Sequence, residues 1–488
     1  MRGRQRDVLS PYKRVSSKEY LGSTPDDDAS ARPLSLGKED AIPSWTRSLP
    51  HILVAAVSSL LFGYHLGVVN DTLESISIDL GFSGDTLAEG LVVSACLGGA
   101  FVGSLFSGSI ADGFGRRRAL QFCALPMIIG ASMSAVTSGL AGMLLGRFLV
   151  GTGMGLGPPV AALYMSEVSP AYIRGTFGSF AQIATCLGLM GSFSMGIPVR
   201  ENRGWWRVCF WVPVIPAAVL VLAMELCVES PHWLFKKGRG AEAEATFEKL
   251  LGVSHIKAAI AELSKLDRGE DLETVKFTEI FHSRHFRVVF IGATLFALQQ
   301  LSGINAVFYF SSAVFKRAGV PSDIANMFVG LVNLSGSFIA TILMDKLGRK
   351  VLLLGSFLGM AMSMGLQVSA TTSSVSASGA LYLSVGSMLM FVLAFALGAG
   401  PVPGLLLSEI FPNRIRAKAM AFCMAVHWVI NFFVGLLFLC LLEQLGPQFL
   451  YTIFGTSCLI AFLFVKRNVL ETKGRTLEEI EIALLPVQ

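Results

Sequence analysis

Apolar residues come in runs about 20 long over most of the chain, each ended by a charged cluster or by Pro and Gly. A hydrocarbon core of about 30 Å takes about 20 residues of helix. That window places twelve membrane helices near 49–70, 90–111, 118–138, 142–165, 176–198, 206–228, 286–315, 323–344, 351–370, 379–408, 418–441 and 447–466. Three stretches break the pattern. Residues 229–285 are polar and read as short amphipathic helices on the cytosolic face. Ser254 suits an N-cap there, Ile256, Ile260, Leu263 and Leu266 recur at helical spacing, and Gly269 serves as a stop. Residues 1–48 are polar, rich in Ser, Pro and Arg, and carry Asp26, Asp27 and Asp28; they read as a disordered cytosolic tail. Transit leaders are poor in acid, so only the first 24 or so residues fit one, and weakly. Residues 468–488 read as a cytosolic C-terminal tail. The expected layout is an N-terminal bundle at 49–228, a linker at 229–285 and a C-terminal bundle at 286–467.

Composition turns this from a pattern into an exclusion. The 488 residues are 53% hydrophobic and only 15% charged, against roughly 25% charged in soluble proteins. Too little polar surface exists to coat a globule, so soluble enzymes, disordered chains and collagens are ruled out. The net charge of +5 is scattered over short clusters and does not form a nucleic-acid footprint. Its placement sets orientation instead. Arg116, Arg117, Arg118, Arg174, Lys346, Arg349, Lys350, Arg414, Arg416 and Lys418 all fall in loops after even-numbered spans, which become the cytosolic side. The first opposite loop is acidic, with Asp71, Glu74, Asp79, Asp85 and Glu89. The eight cysteines lie within apolar stretches and include no CxxC pair, so neither a disulfide framework nor a zinc site is expected. No cofactor or metal is implied.

The chain also repeats itself. Asp112, Gly115 and Arg116 after the second span recur as Asp345, Gly348 and Arg349 after the eighth. Glu167 with Arg174 seven residues on recurs as Glu409 with Arg416. A duplicated six-helix unit explains both, and it is the architecture of parallel-repeat transporters. Such charges can bond when the two halves close on the cytosolic side and separate when they open, which biases an alternating-access equilibrium. A run of glycines at 151, 153, 155 and 157 lies within an apolar span with no strand before it. It is a helix-packing surface rather than a dinucleotide loop.

Uncharged polar groups inside the spans mark a path. Gln182, Gln299, Gln300, Asn305, Asn333 and Asn431 are amides at membrane depth, and Trp428 stands beside the last. An unpaired amide in hydrocarbon is costly, so these belong to a bundle interior or a watery cavity. An amide both donates and accepts, as a polyol hydroxyl does. An indole face suits the C–H face of a pyranose, and no fixed charge stands among these groups to favour an ionic cargo. Gly400, Pro401 and Pro403 interrupt the tenth span, where freed backbone groups need a neighbour or a cavity. The Asn70-Asp71-Thr72 sequon abuts the first span, too near the membrane for glycosylation.

Eight segments together resemble the sugar porters of the major facilitator superfamily: GRFLVGTGMG (146–155), YMSEVSPAYIRG (164–175), ESPHWL (229–234), QQLSGINAVFYF (299–310), DKLGRK (345–350), GPVP (400–403), SEIFPNRIRA (408–417) and ETKGRT (471–476). The likeness spans 49–476 in order and is greatest to plant plastidic and animal facilitative glucose transporters. It implies an all-α membrane protein with the major facilitator fold, twelve helices in two six-helix bundles, working as a monomer on a neutral hexose. It implies that the seven residues named above contact sugar, with Tyr309 and Phe310 closing the outer side over it. It implies a cytosolic gate network of Asp112, Arg116, Arg147, Glu167, Arg174, Glu229, Asp345, Arg349, Glu409, Arg416 and Glu471. It points to the plastid inner envelope, with Golgi or another endomembrane as the alternative.

Departures from the family pattern matter as much. His65 stands where proton-coupled members carry Asp and facilitative animal members Asn; a histidine can carry a proton or only hydrogen-bond. The missing carboxylate favours facilitated diffusion, with proton–hexose symport as the alternative. Gly404, Ala396 and His427 replace a Trp, a Glu and an Asn of the animal relatives, which suggests a wider pocket. Val228, His232 and Gly113 replace a Pro and two Arg of the gate motifs. A sugar sensor that does not transport is the reading from another class; tails of about 48 and 21 residues argue against it. No covalent chemistry is needed, so the chain is not expected to be an enzyme.

Overall fold

The computed structural model describes residues 44–270, 283–317, 319, 321–371, 377–412, 415–475 and 477–484. The expected tail at 1–43 and the linker segment 271–282 lie outside the described residues. The first half crosses as α1 (Leu49–Asp79), α2 (Thr86–Phe114), α3 (Arg116–Val136), α4 (Leu140–Val168), α5 (Arg174–Met195) and the pair α6 (Trp205–Trp211) and α7 (Val214–Leu226). Pro213 separates the last two, as its missing N–H requires. Short α8 (Pro231–Lys236), α9 (Gly240–Leu251) and α10 (Ile256–Glu270) follow. Ser230, not Ser254, is the capping residue seen here: its hydroxyl accepts from the Trp233 N–H at 3.1 Å. Ser254 sits in a 3-10 turn, and α10 runs through Gly269 to Glu270, so neither marks the expected boundary.

The second half crosses as α11 (Ser283–Leu301) with α12 (Ile304–Arg317), α13 (Ser322–Leu347), α14 (Arg349–Ala370), α15 (Ala377–Ala394) with a π-helical turn (Phe395–Ala399) and α16 (Val402–Ile410), and α17 (Arg416–Asn468). At 53 residues α17 is more than twice the span of a bilayer. Gly446 in it has φ 77° and ψ 164°, and Pro447 follows, so α17 breaks there into two crossings and the total among the described residues is twelve. The C-terminal segment is not only a tail: α18 (Leu477–Leu484) packs on α16 through buried Ile480 and Leu484.

Close approach explains the glycines of α4. A Cβ at Gly151 would lie 1.9 Å from the Cys96 carbonyl oxygen of α2, and one at Gly155 would lie 2.0 Å from that of Ala100. Any side chain would force these backbones apart. The halves meet through α2 and α17, α5 and α13, and α1 and α12. Among the described residues, the hydrogen bonds that join them run from the middle of the bundle to its outer end, the end away from the basic loops. The bundle is therefore held closed at its outer end.

Candidate functional site

The seventh crossing breaks at mid-membrane, where Gly303 takes φ 86°. Its Cβ position would lie 2.6 Å from the Phe454 ring, so only glycine makes this turn. The break brings both sides of the amide motif together. Gln299 Nε2 donates to the Ala399 carbonyl of the π turn at 2.5 Å. Gln300 Nε2 donates to Gln299 Oε1 at 3.2 Å and lies 3.0 Å from His427 Nδ1 of α17. Asn305 Nδ2 donates to Gln300 Oε1. One polar chain thus ties four elements. Ser356 satisfies more of the broken tenth crossing, donating to the Ala394 carbonyl at 2.6 Å and accepting from the Ala399 N–H at 2.8 Å. The freed backbone groups expected around Gly400 and Pro401 are paired in this way.

A second cluster crosses between the halves. Gln182 of α5 and Asn333 of α13 both donate to the Cys186 sulfur, at 3.6 and 3.4 Å, and Ser337 lies 3.2 Å from it. Tyr309 and Asn431 pair at 3.3 Å, joining α12 to α17, and Phe310 stacks on Phe438 with centroids 5.0 Å apart. Trp428 meets Phe62 of α1 edge-on at 6.3 Å, and its buried Nε1–H has no partner among the described residues. The structure thus sorts the seven candidates into one cluster of three (Gln299, Gln300, Asn305), one of two (Gln182, Asn333), Asn431 paired with Tyr309, and one free indole donor, with Gln182 bonded only through sulfur among the described residues. Gly404 is exposed and a Cβ there would meet nothing, so the place of the relatives' Trp is open space.

His65 and Arg147 form a separate pair of polar groups in the first half. Arg147 is 2% exposed, donates to the carbonyls of His65 and Val92 at 3.3 Å each, and has no carboxylate partner among the described residues. It lies 6.0 Å over the Phe210 ring. Both ring nitrogens of buried His65 are unpartnered among the described residues.

On the cytosolic side the repeat reads out as geometry. Gly115 and Gly348, at φ 93° and 89°, start α3 and α14, and each start is capped by a distant carboxylate. Glu229 accepts from the N–H groups of Arg116 at 2.9 Å and Arg117 at 3.2 Å; Glu471 accepts from those of Arg349 at 2.9 Å and Lys350 at 3.0 Å. A Cβ at either glycine would strike that carboxylate. Arg116 forks onto Glu167 at 2.8 and 3.0 Å and reaches Asp112 at 3.0 Å. Arg349 reaches Glu409 at 2.9 Å. These bonds all lie within one half, and among the described residues no carboxylate–guanidinium contact joins the two halves on this face. Exposed Arg174 makes no bond among the described residues, and Arg416 donates only to the Phe411 carbonyl at 3.2 Å. The Asp345 side chain lies outside the described residues.

The two caps differ in charge balance. Burial raises the Glu229 carboxyl above its ordinary value and outweighs its backbone hydrogen bonds. Burial acts upward on Glu471 too, but N–H bonds from Lys473, Arg349, Lys350 and Val351 win and hold it below. Ionised Glu471 thus gains stability as pH rises through its lowered value, whereas ionising Glu229 costs stability as pH rises through its raised one. At neutral pH, Glu471→Gln is therefore expected to lower the melting temperature in detergent more than Glu229→Gln; the reverse order would contradict this account.

An outer lock went unread in the sequence. Asn70 Nδ2 donates to Ser311 Oγ at 2.6 Å, and its Oδ1 accepts from the Ser312 N–H at 2.9 Å. Asp71 accepts from Asn326 at 2.7 Å and from the Ser312 hydroxyl. Glu74 pairs with Lys316, and Arg200 with Asp323. The acidic outer loop is therefore more than a topology signal. Asn70 is buried with both amide atoms bonded, so this closed state leaves no room for a glycan there.

Two repeated six-crossing halves closed at one end, with uncharged polar groups gathered at mid-membrane, define a membrane transporter of the major facilitator type. The family model described as "Sugar (and other) transporter" matches residues 51–484. This chain belongs to that family, and it is a transporter rather than an enzyme. It is 68% identical over 490 residues to "Probable plastidic glucose transporter 2" of Arabidopsis thaliana, covering 99% of each chain. Among solved structures it is similar to the xylose transporter XylE of E. coli in an inward-open conformation, with 31% identity, a TM-score of 0.78, and 90% of this chain and 100% of that one covered. It is also similar to the proton:xylose symporter XylE bound to 6-bromo-6-deoxy-D-glucose, with 31% identity, a TM-score of 0.76, and 90% and 99% covered.

Proposed function

We propose that this protein carries a hexose, glucose first, across the plastid envelope by alternating access, as a facilitated diffusion carrier. The observation that carries the reading is the uncharged amide chain of Gln299, Gln300 and Asn305 at the break of the seventh crossing. Its relatives named as plastidic glucose transporters support the cargo and the membrane. Gln182, Asn333, Trp428 and Asn431 complete the sugar site; the free indole N–H of Trp428 is a donor awaiting an acceptor. Tyr309 and Phe310, packed beneath the outer lock, form the lid that moves when the outer side opens. The caps and ion pairs around Arg116 and Arg349 hold each half rigid and part as the cytosolic side closes. One chain encloses the whole path, so a monomer suffices.

Uniport rests on His65 and Arg147. A proton-coupled carrier needs a group that loads a proton in one state and sheds it in the other. No carboxylate faces Arg147 among the described residues. Buried His65, with no partner among the described residues, and the likeness to the proton:xylose symporter XylE favour symport instead. Purified protein in liposomes is expected to equilibrate glucose to the external concentration with or without a pH gradient. Accumulation above that level, driven by protons, would overturn uniport and leave hexose transport standing. A fusion tagged at the C-terminus is expected to mark the plastid envelope, and Golgi labelling would overturn the placement.

A further inference from the structure

Hydrogen atoms in the central amide chain are fixed by logic that starts at a backbone group. The Ala399 carbonyl can only accept, so the Gln299 atom 2.5 Å from it is the amide nitrogen, and Gln299 Oε1 faces Gln300. That oxygen can only accept as well, so Gln300 presents its nitrogen there, at 3.2 Å. The same nitrogen lies 3.0 Å from His427 Nδ1. An amide NH2 has no lone pair to offer, so Nδ1 must accept, and the ring is neutral with its hydrogen on Nε2. At the other end Gln300 Oε1 takes the hydrogen bond of Asn305. The whole chain has one polarity, and every amide orientation depends on the next.

Resting on the hexose-carrier reading, we propose that His427 is a positioning residue of the sugar site: neutral Nδ1 holds Gln300 in its binding orientation, and protonating that nitrogen releases it. The balance is simple. A solvent proton forms an N–H bond at Nδ1, the Gln300 N–H···Nδ1 bond breaks, and two donors then face each other. Turning the Gln300 amide over does not repair the conflict, because its NH2 would then meet the NH2 of Asn305 and its oxygen would meet Gln299 Oε1. The ring's described neighbours are Gln300 and Phe296 of α11, the latter with centroids 5.4 Å away, and Trp428 of its own helix at 5.0 Å. None of these is charged or titratable, so no carboxylate shares the proton. His427 is partly exposed, while Gln300 and Trp428 are buried.

The test is glucose counterflow in liposomes held at one pH on both sides, stepped from about 7.5 to about 4.5, so that no proton gradient can drive uptake. The half-saturation concentration of the unaltered protein is expected to rise on acidification, most of the change falling at the acid end of the range, with the maximal rate changing far less. His427→Asn offers an acceptor that does not titrate; it is expected to keep its affinity at pH 7.5 and lose most of the pH dependence. His427→Gln serves the same purpose if the Asn variant does not fold. His427→Ala, with no acceptor, is expected to bind weakly at every pH. A flat profile in the unaltered protein, an undiminished profile in both His427→Asn and His427→Gln, or a profile abolished by His65→Asn instead would overturn the proposal. Absence of glucose exchange at every pH in the unaltered protein would sink the carrier reading itself.

Discussion

Replacing Gln299 by alanine is expected to raise the glucose concentration for half-maximal exchange by roughly ten- to a hundredfold. Hydrogen bonds lost to sugar are worth roughly 1 to 3 kcal/mol where a buried partner is left unpaired, and about 1.4 kcal/mol is a factor of ten. The structure adds a second cost. Gln299 Nε2 is the partner of the Ala399 carbonyl and its Oε1 holds Gln300, so the substitution unseats the whole chain. Losses at 299 and 300 should therefore fall short of additivity: once Gln299 is gone, Gln300 has less left to lose. Gln182→Ala is expected to have a smaller effect, because Gln182 is held only by a sulfur at 3.6 Å and is less tightly preorganised. Counterflow kinetics of the three single variants and the 299/300 double variant would check this. Unchanged half-saturation and rate in both Gln299→Ala and Gln182→Ala would make these amides interhelical glue.

The crossings and the duplication were legible because each depends on one-dimensional signals: about 20 apolar residues per helix, and charges recurring at matched spacing. The same window misjudged how far helices continue. It ended the first span near residue 70, but α1 runs to Asp79, since Asp71 and Glu74 find partners in the other half and Asp79 accepts from Trp206 Nε1 at 2.8 Å. Polar residues read as loop were helix with distant partners, and partners hundreds of residues away leave no mark on local hydropathy. The amides stood out for the opposite reason, as costly groups with no local excuse. What stayed hidden was their order: nothing in the run QQLSGIN shows that Gln299 faces the tenth crossing while Gln300 faces His427. The gate residues were legible as a set, but their pairing was not. Glu229 and Glu471 cap helix starts through backbone N–H groups, a role that spacing between charged side chains does not encode.

Removing the outer lock should move the protein out of its outward-closed state. Asn70, Asp71 and Asn326 make a connected set of hydrogen bonds across the two halves, each severed when the outer side opens. A typical bond contributes about 1 kcal/mol net, and one to a charged group roughly 1.5 to 3. The triple alanine variant is thus expected to lose about 3 to 5 kcal/mol of preference for the closed outer side, a shift of roughly a hundred- to several-thousandfold in the ratio of states. The exposed pair Lys316–Glu74 contributes little in water, whereas the half-buried pair Arg200–Asp323 retains part of the closure, which places the shift toward the lower end of that range. Hydrogen exchange read by mass spectrometry is the direct measure. Peptides from the outer ends of α1, α12 and α13 should exchange faster in the variant, and those from the cytosolic ends of α4 and α5 more slowly as that side closes. Faster exchange at both ends would mean general loosening rather than a displaced equilibrium. Exchange equal to the unaltered protein at the outer ends would mean that Asn70, Asp71 and Asn326 do not hold the outer side shut. The direction of the transport defect separates the cases further: a carrier biased outward binds glucose normally from the outer face but returns slowly, so net uptake falls more than sugar affinity does.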